Sequence, residues 1–329
     1  MSCYHPLVAF PSGSIGENGK EKFVIKKEYL FSHSLDEVYS NDGILIPCGH
    51  CIGCRLDYAR KWADRMMLEL ETQKKAVFLT LTYDNEHAHW TQFYEDGSGM
   101  FATLDKKDCQ DFMKRLRQHC LRDLGIEKIR FYLAGEYGDQ TLRPHYHAII
   151  FGLGLSDLAD VQLFSRNDLG QPFYVSSWLQ EIWTHGHVLL ADVNWKVCAY
   201  VGRYVTKKLN GDAAISYAER NVLKEFSLMS RKPGLGREYL DLHPDCFDFQ
   251  SINLSTPEGG LKISIPQYYL KQLELTDPER FAIIKAERRK FVSDKNLLEL
   301  SKTDLGFAEY LAVKEENRKQ KIKVLKRKV

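Results

Sequence analysis

An α+β fold, a central antiparallel sheet flanked by helices, is what this sequence predicts from three observations. Two apolar runs, "KIRFYLAGEYG" and "HYHAIIFGLG", flank the polar link "GDQTLRP", which is the pattern of a hairpin. Amphipathic helical segments are set against a run of such strands, an order that favours helices layered on a mostly antiparallel sheet. The chain has 329 residues, 44% of them hydrophobic, so it is long enough for one elaborated core or two domains where single domains run to roughly 100–200 residues.

The elements follow in order. Residues 1–55 read as an irregular N-terminal arm with a cysteine cluster, Gly-, Ser- and Pro-rich in "FPSGSIGENGKEK" and strand-like in "KFVIKKEYLF". The core spans 56–257. In "CRLDYARKWADRMMLELETQ" Leu56, Ala59, Ala63, Met66, Met67 and Leu70 form one helical stripe. "AVFLTLTYD" then alternates Phe78, Thr80 and Thr82 against Val77, Leu79, Leu81 and Tyr83. A second helix starts near Asp105 and ends at Gly125, and the hairpin follows. "SSWLQEIW" is helical, "GHVLLADV" a strand, and "WKVCAYVGRYVTKKL" a helix closed by Asn210-Gly211. Residues 258–329 are polar and helical, with Thr276 or Asp277 capping and Pro278 in the first turn of one helix. They end in a cluster of Arg318, Lys319, Lys321, Lys323, Lys326, Arg327 and Lys328, which suits either a solvated helix end or contact with a DNA backbone.

The balance of 46 basic and 44 acidic side chains leaves a net charge of +2, which does not mark a nucleic-acid binder, so any basic surface must be local. The start "MSCYHPLVAFPSG" lacks the layout of a secretory signal, and no apolar run approaches the ~18 residues needed to span a bilayer. A soluble protein of a reducing cytoplasm is expected, its clustered cysteines metal ligands rather than bridges. "GENGK" fails the spacing of a phosphate-binding loop, because Glu21 follows Lys20, and no ATP site is found.

Three constellations can carry chemistry. Residues two apart on a strand share a face, so His145 and His147 can converge on one ion, and the partner strand can bring Glu136 alongside. Two imidazoles and a carboxylate suit Mn²⁺ or Mg²⁺ in a phosphate-handling role, or Zn²⁺ if four-coordinate. Tyr200 and Tyr204, at i and i+4 on a helix, lie on one face, with Lys207 and Lys208 on the next turn. A tyrosine with an ordinary pKa near ~10 is a poor nucleophile until nearby positive charge stabilises its phenolate. The alternative is two core aromatics on an amphipathic helix. Cys48, Cys51 and Cys54 in "PCGHCIGCR" are spaced for one Zn²⁺, with Cys3, His5 or His50 as fourth ligand, Cys3 being the softer match. Iron–sulfur ligation and free thiols are the alternatives.

Together "FLTLTYD", "GEYGDQTLRPHYHAIIFG" and "AYVGRYVTKKL" resemble, in order, the three motifs of the HUH endonucleases that initiate rolling-circle replication. The paired tyrosines resemble those of microvirus initiators, and "PCGHCIGCRLDYARKWA" with "MSRKPGLG" is similar to the gokushovirus branch. The resemblance covers about residues 1–240 and implies an HUH core over 56–257. It implies His145 and His147 as ligands of a catalytic Mg²⁺ or Mn²⁺ with Glu136 as the acidic third, Tyr200 and Tyr204 as nucleophiles, and Lys207, with Lys208 beside it, as the motif lysine. Motif one, Thr80 to Asp84, packs the sheet beside the site with no catalytic role assigned. It further implies nicking of single-stranded DNA at a phage origin, a 5′-phosphotyrosine adduct, rejoining without ATP, host helicase and polymerase as partners, and the host bacterial cytoplasm as the place of action. A relaxase or HUH transposase, a metal-dependent hydrolase, and a non-enzymatic zinc-dependent nucleic-acid-binding protein are the rivals.

Overall fold

The computed structural model describes residues 3–17, 19–92, 100–138, 141–167, 170–204, 222–257 and 259–326. They form two compact units, Met1–Asp57 with Gln267–Val329, and Tyr58–Pro266. Along the chain the strands are β1 (Leu7–Ile15), β2 (Glu21–Lys26), β3 (Ile44–Ile46), β4 (Ala76–Tyr83), β5 (His89–Gln92), β6 (Met100–Thr103), β7 (Arg130–Tyr137), β8 (Pro144–Phe151), β9 (Gln162–Arg166), β10 (Pro172–Val175), β11 (Gly186–Asp192), β12 (Phe226–Met229), β13 (Ser251–Thr256) and β14 (Gly259–Ser264). The α-helices are α1 (Leu35–Ser40), α2 (Ile52–Gln73), α3 (Lys106–Leu124), α4 (Ser177–Trp183), α5 (Trp195–Tyr204), α6 (Arg237–Leu242), α7 (Gln267–Thr276), α8 (Pro278–Leu300) and α9 (Phe307–Lys326).

The hairpin β7–β8 sits inside a seven-stranded sheet of order β12-β7-β8-β4-β11-β10-β9, antiparallel at every pairing. Strand alternation gives this sheet two chemically different faces. Leu79, Leu81, Tyr83, Tyr146, Ala148, Ile150 and Val188 point to one side, where they bury against Phe112, Met113 and Leu116 of α3 and Leu179, Ile182 and Trp183 of α4. The opposite side carries Thr80, Glu136, His145 and His147, the residues between those apolar positions. Helix α3 holds its place through local chemistry: Asp105 caps its first turn by accepting from the amides of Lys107 and Asp108, and Gly125 ends it at a φ of 66°.

A buried ion pair fixes the "RKPGLG" loop on the same unit. Arg130 pairs with Glu69 of α2, both almost fully buried. The second Glu69 oxygen accepts from the Gly236 amide at 2.6 Å, and Arg130 Nη2 donates to the Pro233 carbonyl at 2.8 Å. Arg65, one turn earlier on α2, donates to the Leu235 carbonyl through Nε and Nη2 at 3.2 and 2.8 Å. Three side chains thus supply the partners of a loop that has no regular structure of its own.

In the other unit the expectation of an irregular arm is corrected. β1 pairs antiparallel with both β2 and β3, giving a three-stranded sheet of order β2-β1-β3. The apolar–polar alternation that betrays a strand is missing because β2 is exposed along its whole length, and β1 shifts register between Pro11 and Ile15 around Gly13 at a φ of 70°. Leu35 of α1 packs with Phe307 and Leu311 of α9, and Asp277 rather than Thr276 caps α8, accepting from the Arg280 amide at 3.0 Å. Arg318, Lys319, Lys321 and Lys323 lie on α9, where Lys319 pairs with Glu315 at 3.3 Å; Arg327, Lys328 and the Lys326 side chain fall outside the described residues. Among the described residues no helix is long and apolar enough to cross a membrane.

Glu69→Ala leaves the Arg130 charge buried without its partner, so a loss of about 3–5 kcal/mol in unfolding free energy is expected from a urea titration followed by circular dichroism. A midpoint equal to the parent's would show that this pair does not hold the loop.

Candidate active site and metal centres

Register brings the first constellation together. Across β7 and β8, Glu136 stands opposite His145 and Ala134 opposite His147, so the small alanine leaves room for both imidazoles beside the carboxylate. Glu136 Oε1 lies 2.6 Å from His145 Nε2 and 3.1 Å from His147 Nε2. Burial by itself would raise the Glu136 carboxyl, but the hydrogen bonds and charge of the two imidazoles outweigh it and hold it at about 2.

Each histidine is oriented from behind. His145 Nδ1 donates to the Arg143 carbonyl at 3.2 Å, which turns Nε2 inward. His147 Nδ1 is 3.1 Å from Thr80 Oγ1, supplied by β4, where Thr80 and His147 are register partners. Phe78, two residues earlier on the same face, stacks on the His147 ring at 5.5 Å. One ligand atom from each of Glu136, His145 and His147 lies within 4.8 Å of the others. Neutral imidazole nitrogens plus an ionised carboxylate form a donor set that fits a divalent ion of the Mn²⁺, Mg²⁺ or Zn²⁺ kind.

The second constellation arrives from α5. Tyr200 Oη is 3.4 Å from His147 Nε2, and its ring meets His147 and Phe78 edge-on. The ring remains about a third exposed, at 36%, and so stays open to a ligand from solvent. Arg203 stands over it with its guanidinium 5.5 Å from the centroid. Gly202 lets α5 come this close, since a Cβ there would stand 2.8 Å from the Ala59 carbonyl of α2. The Tyr204 side chain, Lys207 and Lys208 lie outside the described residues.

Several neighbours of the site escape a reading by motif. Thr80, which the motif reading gives packing alone, holds a histidine. Arg143 donates to Asn85 Oδ1 at 2.5 Å and to the Tyr83 carbonyl at 3.1 Å, with its guanidinium 5.8 Å from the centroid of Trp90. The one available signal is alternation: Phe78, Thr80 and Thr82 share a face, and pairing β4 with β8 turns that face toward the histidines.

The third constellation is gathered in the other unit. Sγ atoms of Cys3, Cys48, Cys51 and Cys54 all lie within 4.8 Å of one another, and all four cysteines are unbridged. His50 Nδ1 instead donates to the Cys48 carbonyl at 3.0 Å, and His5 Nε2 meets Glu315 at 2.8 Å. Burial raises Cys51, but amide donors from Tyr4 and Cys54 and the neighbouring thiols bring it down to about 7, while burial pushes Cys3 up to about 11.

A fully antiparallel sheet that carries a carboxylate and two histidines on one face, with a helix-borne tyrosine above them, defines the class, and residues 76–209 match the family model of the replication-associated protein ORF2. The chain is 30% identical over 262 residues to replication-associated protein VP4 of Bdellovibrio phage phiMH2K, covering 76% of each. It is 27% identical over 308 residues to replication-associated protein ORF2 of Spiroplasma virus 4, covering 88% of this chain and 86% of that protein. A third relative, replication-associated protein ORF4 of Chlamydia phage 1, is 28% identical over 71% of this chain and 55% of its own length. The chain belongs to this family of phage replication-associated proteins. No solved structure matches it.

Thr80→Val removes the partner behind His147 and is expected to weaken Mn²⁺ binding about ten- to a hundredfold by isothermal titration calorimetry. Because Glu136, at about 2, is already ionised throughout the usual pH range, Mn²⁺ affinity should rise with pH only through the imidazole range near ~6.5. An affinity flat from acid to neutral pH would exclude the histidines as ligands.

Proposed function

We propose that the protein initiates phage DNA replication by nicking single-stranded DNA at the viral origin and later rejoining the strand. The observation that carries this reading is the convergence of Glu136 Oε1, His145 Nε2 and His147 Nε2, with Tyr200 Oη 3.4 Å from the last of them. The names of the relatives and the order of the three HUH-like motifs support the same reading.

In this reading Glu136, His145 and His147 hold Mg²⁺ or Mn²⁺, which when bound polarises the scissile phosphodiester. Tyr200 Oη attacks phosphorus, the bond to the 3′ oxygen breaks, and the 5′-phosphate stays on the tyrosine. The phenolic proton leaves to solvent, and the departing 3′ oxygen takes one up, so the step is balanced without a cosubstrate. Arg203 places positive charge against the Tyr200 ring, which favours the phenolate. Thr80 and the Arg143 carbonyl keep both imidazoles turned toward the reacting group. Phosphodiester energy is kept in the adduct, so a host polymerase can extend the free 3′ end with a host helicase opening the duplex, and ATP is not needed for rejoining. Tyr204 is the second nucleophile, cutting the regenerated origin, with Lys207 and Lys208 offsetting charge near the phosphate. The setting is the cytoplasm of the infected bacterium.

Purified protein mixed with labelled single-stranded fragments tiling the phage genome and Mn²⁺ should give a denaturation-resistant adduct that maps to Tyr200 or Tyr204 by mass spectrometry. EDTA or His147→Ala should abolish it, and Tyr200→Phe with Tyr204→Phe together should lower cleavage by at least about a thousandfold. Cleavage with no adduct would make the protein a hydrolase. Binding with no cleavage across the genome would make it a non-enzymatic nucleic-acid-binding protein.

A further inference from the structure

We propose that Cys3, Cys48, Cys51 and Cys54 form a tetrathiolate site for one Zn²⁺ whose task is structural, fastening the end of the β1–β3 ladder to the first turn of α2. None of the nicking steps uses these cysteines, and the inference does not rest on that chemistry.

Spacing between the sulfurs speaks first. Cys48 Sγ to Cys54 Sγ and Cys3 Sγ to Cys51 Sγ are both 3.9 Å. Four sulfurs at ~2.3 Å from a tetrahedral Zn²⁺ stand about 3.8 Å apart, whereas a disulfide would need ~2.05 Å. The pairs are therefore set for a shared ion and not for oxidation to bridges.

Backbone donors speak second. The Tyr4 and Cys54 amides point at Cys51 Sγ at 3.4 Å, the Cys48 amide at Cys3 Sγ at 3.3 Å, and the Cys51 amide at Cys48 Sγ at 3.4 Å. Neutral thiols attract such donors weakly, while four thiolates around one Zn²⁺ carry a net charge of −2 that must be offset once it is partly buried. Cys51 and Cys54 also stand at the start of α2, where the helix dipole favours negative charge. Gly49, at a φ of 87°, makes the tight turn that returns Cys51 toward Cys48.

Placement gives the site its task. Leu7 pairs with Ile46 at the end of the β1–β3 ladder, so Cys3 and Cys48 leave the same end of the ladder. Cys3 and Cys48 are 45 residues apart in sequence, and one ion would close that loop. The contrast within the chain is sharp: Cys109, Cys120 and Cys198 are fully buried and behave as core apolar side chains. Thiolate sulfur selects Zn²⁺ over Mg²⁺, so the cluster and the Glu136 site would load different ions from one solution.

The full-length protein should carry one zinc per chain by plasma mass spectrometry and keep it through dialysis against EDTA that strips Mn²⁺. Cys51→Ser and Cys54→Ser should lose it. Since such variants can fail by misfolding, the parent protein reconstituted with Co²⁺ supplies a second reading. Its visible and near-ultraviolet bands should be those of tetrahedral cobalt with four sulfur ligands. A nitrogen-containing cobalt spectrum would overturn the ligand set, and an iron chromophore in protein purified anaerobically would overturn the metal. Zinc-free protein whose four thiols react freely and whose melting temperature equals that of the loaded form would overturn the structural task.

Discussion

Everything at the site depends on the hydrogen-bonded register between β4, β7 and β8. Glu136 faces His145 and Thr80 faces His147 only in this alignment. A slip by one residue would turn the histidines into the apolar layer and send Tyr146 and Ala148 to the polar face. What prevents the slip is the other side of the sheet, where Leu79, Leu81, Tyr146 and Ile150 are buried with α3 and α4. The apolar layer therefore aligns the polar groups it never touches, with tens of cal/mol per Å² of buried surface opposing any shift.

That division of labour also separates two kinds of electrostatics. On the buried side Glu69 and Arg130 neutralise each other and direct their remaining hydrogen-bonding capacity to backbone, a closed arrangement that fixes a loop. At the site, Glu136 lies between two imidazoles whose ring nitrogens can lose protons near neutral pH, an open arrangement that can exchange protons for a metal. Both carboxylates are buried, and their partners decide which is structural and which is chemical.

Much of this was legible in the sequence, and what was not has a common cause. The hairpin, the limits of α3 at Asp105 and Gly125, the shared face of His145 and His147, and the grouping of three cysteines each depend on neighbours a few residues away. β9 is exposed along its length, and β13 pairs with β14 across a short turn, so neither shows the apolar contrast that marks a strand. Thr80, Arg143 and Arg203 gain their roles only when β4, β8 and α5 meet. Single-sequence patterns give faces of elements, while side-chain partners need the register between them.

The spread of the site along the chain has a consequence for how it comes into being. Glu136 and His145 are only nine residues apart, joined by one turn, whereas Tyr200 lies 53 residues beyond His147. Local closure of a hairpin takes microseconds, while contacts of high sequence separation form late in folding. During synthesis the ion-binding half of the site can therefore exist on a chain that does not yet have its tyrosine helix. The two halves meet only when β11 has joined β4 and α5 has reached α2. The constellation thus becomes complete at the close of folding, and a partly made chain holds ligands without a nucleophile.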